Sequence, residues 1–317
     1  MTETPETPET PETPETPETE AAIARAREDE ILGRIVAWAR EQPLVRAVVL
    51  ESSRVVAGAP LDRFSDYDIL LVVSDTSHFS DNNDWQRYFG EPLARFGDSK
   101  EILGYTTYFR LAFYEDHTKI DYAIWPVALL QAVVERQEST DLLDWGYRVL
   151  LDKDGLAARL PAPTRTAHIP QKPTEREYLT LVEVFWSEAT YVAKNLWRDE
   201  LVFARYNLDV VMKYELLLPM LEWRVELDRD WSWKPGVMGR GLKRALPMDL
   251  WIALERTYVG PGAAETWDAL FATTALFRRV ARAVGQALGY AYPEAMDRGV
   301  SDYLEEVRRL PLPPDRQ

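Results

Sequence analysis

Cysteine is absent from the 317-residue sequence. That excludes disulfides, thiolate catalysis and cysteine-ligated zinc, and it fits a reducing compartment. Histidine is nearly absent: His78, His117 and His168 lie far apart without ligand spacing, so neither a zinc site nor Ser-His machinery is legible. No apolar run reaches membrane-spanning length, and the N-terminus lacks the basic and apolar pattern of a signal peptide. The expectation is a soluble cytoplasmic protein with no membrane partner. Acidic residues outnumber basic ones, 52 to 37. Seven glutamates and no Lys or Arg fall within residues 1–20, so the net charge of −15 leaves −8 for residues 21–317. A body this acidic is a poor partner for nucleic acid, whose phosphates are bound through Lys and Arg. It suits a cationic small molecule, or simply keeps the protein soluble.

What is present is ample apolar material. Hydrophobic residues make up 46% and aromatics 11%, enough for a sizeable core, and the length suggests two domains or one large one. Residues 1–20 repeat Thr-Pro-Glu with no apolar residue after Met1, a composition expected to form a disordered tail. Ile31, Ile35 and Trp38 then recur at helical spacing, ahead of Pro43. Strand-like runs follow at 45–51, 67–74, 107–114 and 119–125, with a possible helix at 84–95. Residues 21–160 thus read as a small mixed sheet with helices on one face. A Pro-rich linker spans 161–174, and residues 175–310 show helical periodicity as a bundle, with Pro219 expected to kink or shorten one helix. The fold class is α+β.

Three acidic positions stand out. Asp66 and Asp68 flank Tyr67 at the head of the run Ile69-Leu70-Leu71-Val72-Val73. Residues two apart on a strand share a face, so both carboxylates can address one ion. An acidic pair leading into a buried strand is costly unless coordinated. Asp121 lies between Ile120 and Tyr122 in another core-like run; it is either paired with a cation or a metal ligand, and its companions in this set, being acids, favour the ligand reading. Ser53 follows the first strand in a hydroxylated turn, which alone would be ordinary turn chemistry. Oxygen ligands of this kind suit hard divalent cations, and a turn beside them suits phosphates.

This order of strand, hydroxylated turn, Asp-x-Asp and later strand Asp resembles the nucleotidyltransferase superfamily of DNA polymerase β type. More specifically, Leu50-Glu51-Ser52-Ser53-Arg54, Phe64-Ser65-Asp66-Tyr67-Asp68 and Lys119-Ile120-Asp121 resemble the aminoglycoside 6-adenylyltransferases, also called streptomycin adenylyltransferases. So do Leu151-Asp152-Lys153-Asp154, Thr190-Tyr191-Val192-Ala193-Lys194 and Tyr290-Ala291-Tyr292-Pro293, spread over residues 25–305. The resemblance implies a polymerase-β-like domain followed by a helical domain, and ATP-dependent, magnesium-dependent adenylyl transfer to an aminoglycoside, with streptomycin at its 6-hydroxyl as the expected case. It assigns Asp66, Asp68 and Asp121 to two Mg2+ ions, with Asp121 near the attacking hydroxyl; the base that takes the substrate proton is left open between Asp121 and Glu101. It places Ser53, Arg54 and Lys194 on the ATP phosphates. Tyr191, Lys194 and Arg198 share one helix face, which without the resemblance would read as a solvated strip. Glu183, Glu215 and Glu222 with Trp186 are possible contacts for a polycationic, ring-bearing drug.

In one place the chain departs from the pattern. Ser52 stands where the family has glycine, a residue that adopts left-handed backbone freely. Two other readings are therefore kept: a nucleotidyltransferase that modifies RNA or a protein, and a degenerate nucleotide- or drug-binding protein without catalysis.

Overall fold

The structure, a computed structural model, describes residues 17–56, 59 and 61–311. The chain divides into two compact units, Met1–Ala167 and His168–Gln317. The first holds α1 (Pro17–Glu41), β1 (Val45–Glu51), β2 (Tyr67–Val73), α2 (Ser77–Ser80), β3 (Pro92–Ile102), β4 (Tyr105–Tyr114), β5 (Lys119–Pro126), α3 (Val127–Arg136), α4 (Asp141–Asp144) and β6 (Tyr147–Asp152). The strands form one sheet in the order β3-β4-β5-β2-β1-β6. Among the described residues only β2 and β5 pair in parallel; the other ladders are antiparallel.

β1, β2 and β5 are apolar on both sides because both sides are covered. Ile31, Ile35 and Trp38 of α1 pack on Val48, Leu50, Ile69, Leu71 and Tyr122. Leu129, Leu130 and Val133 of α3 pack on Ala47, Val49, Leu70, Val72 and Trp125 from the opposite side. Full burial of each such side chain contributes about 1.5–3 kcal/mol relative to exposure. The expectation of helices on one face is therefore corrected: the continuous apolar run of β2 marks a strand buried on both.

Other differences are local. The expected helix at 84–95 is a short 3-10 turn, Asp84–Phe89, followed by β3. β3 is nearly all exposed, so it carries no alternating apolar signal. β6 (Tyr147–Asp152) likewise adds a strand beyond the expected runs. The expected Thr-Pro-Glu tail lies outside the described residues apart from 17–20, which open α1.

The second unit is helical, with α5 (Glu175–Trp197), α6 (Leu201–Tyr206), α7 (Leu218–Glu226), α8 (Leu242–Ala245), α9 (Met248–Glu255), α10 (Ala263–Leu288) and α11 (Glu294–Arg309). A capping box starts α5: the Glu177 N–H donates to Thr174 Oγ1 (3.3 Å), and the Thr174 N–H donates to Glu177 Oε2 (2.7 Å). Phe185 of α5 stacks on Phe277 of α10 in the core. Pro219 does not end its helix. The segment Asn207–Leu217 is wound with i→i−5 hydrogen bonds, and the Leu218 N–H reaches back to Lys213 O. This wider turn accommodates the proline, and helix continues to Glu226. No helix among the described residues is long and apolar enough to cross a membrane.

Candidate active site

The alternation of β1, β2 and β5 gathers the acids. Leu50, Tyr67, Ile69, Ile120 and Tyr122 point into the core under α1. Their neighbours Glu51, Asp66, Asp68 and Asp121 are thereby sent to the opposite, α3-bearing face. The parallel register sets Asp68 directly beside Asp121. Glu51 lies one step beyond the Leu50↔Ile69 pair of the β1–β2 ladder, which brings it opposite Asp68. A row of carboxylates thus crosses three adjacent strands, about 5 Å apart, with Asp66 on the same face just ahead of β2.

Lys119 belongs to the same face. Its Nζ donates to Asp66 Oδ2 (2.6 Å) and Asp121 Oδ2 (3.1 Å). Burial works against this ammonium, but the bonds to the two carboxylates outweigh it and raise its pKa. The reading that Asp121 has only acids for company is corrected: it has a cation two residues away on its own strand. Asp121 is still raised, by burial first, with Lys119 opposing. Asp68 is pushed up to about 6, chiefly by burial and then by Asp121, while a hydrogen bond from the Ser52 hydroxyl pulls the other way. Glu51, fully buried, is raised well above the carboxylate range by burial and by Asp68.

Among the described residues, no three acids converge closely enough to hold an ion as they stand. The donor set is nevertheless all carboxylate oxygen, the chemistry hard cations require. Asp121 Oδ1 and Glu51 Oε1 are buried without a hydrogen-bond partner, and the Lys119 ammonium already occupies a cation position between Asp66 and Asp121. The site fits a cation once that ammonium yields.

The turn after β1 is a short 3-10 segment, Ser52–Val55, in which Ser53 is half-buried. Ser52 has φ +65°, so the turn keeps the left-handed backbone that glycine adopts without strain. Arg54 departs from its expected role. Its side chain is only 5% exposed and is committed inside the protein: Nε donates to Asp66 O (2.8 Å), one terminal nitrogen to Ser65 O (2.6 Å) and the other to Glu28 Oε2 (3.1 Å). The guanidinium also lies 3.7 Å from the centre of the Tyr67 ring. Arg54 therefore positions the Ser65–Asp66 backbone, with Glu28 of α1 as its counter-ion, and is not turned toward a phosphate.

Glu101 is no base for this site. It pairs with Thr106 one residue out of phase with the row, so it leaves the opposite face of the edge strand β3 and is exposed. On the α3-bearing face, beside the row, lies a cavity of about 260 Å³ lined by Phe96, Asp98, Lys100, Thr107, Phe109 and Trp125.

The remaining expected residues are in the helical unit. Lys194 of α5 lies with Nζ 4.1 Å from the centre of the exposed Tyr191 ring. Arg198 is the exposed C-cap of the same helix. Glu183 and Glu215 are exposed, whereas Glu222 is half-buried and pushed up to about 7 by burial and by Glu226 one turn on. Trp186 is corrected: it is completely buried, donates from its ring nitrogen to the Tyr292 hydroxyl (3.0 Å), and is core rather than a drug-facing surface.

Residues 26–307 match the family model for streptomycin adenylyltransferase. The chain belongs to the streptomycin adenylyltransferase family. An aminoglycoside 6-adenylyltransferase of Bacillus subtilis (strain 168) is 31% identical over 286 residues, covering 88% of this chain and 97% of the relative. One of Campylobacter jejuni is 30% identical, covering 87% and 94%. A solved aminoglycoside 6-adenyltransferase structure from Bacillus subtilis aligns with 28% identity and a TM-score of 0.45, covering 89% of this chain and 99% of that one. The chain is accordingly an adenylyltransferase.

Proposed function

We propose that this enzyme transfers an adenylyl group from ATP to a hydroxyl of an aminoglycoside, with streptomycin and its 6-hydroxyl as the first choice, and thereby confers resistance to the drug. The observation that carries the reading is Asp68 beside Asp121 on paired parallel strands, with Asp66 on the same face, in a chain matched by the family model over residues 26–307. The acidic body, −8 over residues 21–317, suits a polycationic acceptor.

In this reading Asp66, Asp68 and Asp121 hold the divalent cations, magnesium in the cell. When bound, such ions polarise the α-phosphoryl group and neutralise the departing pyrophosphate. The Ser53 hydroxyl and the turn's backbone N–H groups cradle the phosphates. Arg54 fixes Asp66 by holding its carbonyl. Asp121 orients the attacking hydroxyl and accepts its proton. In-line displacement requires that hydroxyl to approach opposite the leaving group. With phosphates at the Ser53 turn on the β1 side, the acceptor lies toward β4 and β3, where the cavity with Asp98 opens.

The test is incubation of the purified protein with ATP, Mg2+ and a panel of aminoglycosides, followed by mass analysis of each drug. A streptomycin product heavier by one adenylyl group is expected. ATP consumption without a modified drug, or modification of RNA instead, contradicts the reading.

A further inference from the structure

Glu51 is the one member of the carboxylate row that neither the Asp-x-Asp motif nor the later strand Asp includes. It closes β1, and its side chain shares the α3-bearing face with Asp68. The residue is 1% exposed, and Oε1 is buried without any hydrogen-bond donor. Such an oxygen is unfavourable unless something cationic or protic meets it. The Lys100 ammonium is near enough for its charge to be felt, yet Oε1 stays unpartnered. Glu51 is followed at once by the left-handed turn at Ser52, so its position is on the phosphate-binding side of Asp68.

We propose that Glu51 is a fourth carboxylate of the site, a ligand to the divalent cation that enters with the ATP phosphates. The inference rests on the proposed adenylyl transfer and adds to it a residue outside the three-aspartate set. On β1 the carboxylate faces the triphosphate, whereas Asp121 on β5 faces the acceptor. Asp68 between them serves both sides.

The test is calorimetric titration of Mn2+ into the full-length protein saturated with α,β-methylene-ATP, which binds without turning over. Wild type is compared with Glu51→Gln, Glu51→Asp and Asp68→Asn, with circular dichroism to verify folding. Loss of a metal-directed carboxylate costs on the order of ten-fold or more in affinity. Glu51→Gln, nearly isosteric but neutral, is expected to weaken Mn2+ by that factor, and the shortened Glu51→Asp to weaken it several-fold. Should Glu51→Gln fail to fold, Glu51→Asp decides alone. Wild-type affinity in the folded Glu51 variants, with Asp68→Asn impaired, overturns this inference and leaves the adenylyl-transfer site standing, with Glu51 a protonated core carboxyl. Wild-type affinity in Asp68→Asn as well overturns both.

Discussion

Ser52 and Arg54 show how much of the site depends on single side chains. Ser52 is left-handed at φ +65°, a conformation that costs an L-residue roughly 1–2 kcal/mol and glycine almost nothing. Ser52→Gly is therefore expected to be neutral or stabilising within about 1 kcal/mol, whereas the β-branched Ser52→Val should destabilise by about 1–2 kcal/mol. Urea denaturation of the pair checks this; equal stability would mean that the turn does not need a left-handed residue. Arg54 and Glu28 are both largely buried, at 5% and 13% exposure. Truncating Arg54 removes the donors to Ser65, Asp66 and Glu28 and leaves Glu28 only the exposed Arg148 (3.2 Å), so Arg54→Ala should cost about 2–3 kcal/mol. Arg54→Lys keeps the charge but cannot reproduce the fork toward Ser65 and Asp66. It should retain most of the stability lost in Arg54→Ala while lowering kcat/KM, because Asp66 is no longer fixed. An unchanged kcat/KM in Arg54→Lys would remove the positioning role.

Among elements, β1, β2 and β5 were legible because they are continuous apolar runs with turn residues between them. β3 was not: its sequence Pro92-Leu93-Ala94-Arg95-Phe96-Gly97-Asp98-Ser99-Lys100-Glu101-Ile102 lies on an exposed edge, held by ladder bonds to β4 rather than by burial. The acids at 66, 68 and 121 could be picked out as a set, but not their register. Lys119 meets Asp66 only through the parallel β2–β5 pairing, which has no local signal, and Glu51 reads in sequence as an ordinary polar strand end. Trp186 failed for the complementary reason, since helical spacing alone does not say which face is buried. In α7, Glu222 is pushed up from 4.5 to about 7. The folded state therefore holds that proton more tightly than the unfolded chain, and the associated stability is complete below about pH 4.5 and lost as pH rises through about 7. Discounted for partial exposure, Glu222→Gln should be more stable than wild type by roughly 1–2 kcal/mol at pH 8, with the difference gone near pH 4.5. A pH-independent difference would contradict the raised value.

At the scale of the whole molecule, a net charge of −15 should steer a polycationic acceptor toward the enzyme and repel a polyanionic one. Raising salt from about 0.02 to 0.3 M shortens the screening length several-fold, so kcat/KM for the aminoglycoside should fall several-fold while kcat changes little. A rate that rises with salt would point to an anionic acceptor. The role of the paired aspartates is tested by single-turnover adenylyl transfer from ATP to streptomycin, comparing wild type with Asp68→Asn and Asp121→Asn at matched folding. Wild type is expected to give an adenylylated drug and both variants to lose at least a thousand-fold in rate, about 4 kcal/mol in the barrier. Undiminished transfer in either folded variant would contradict that role.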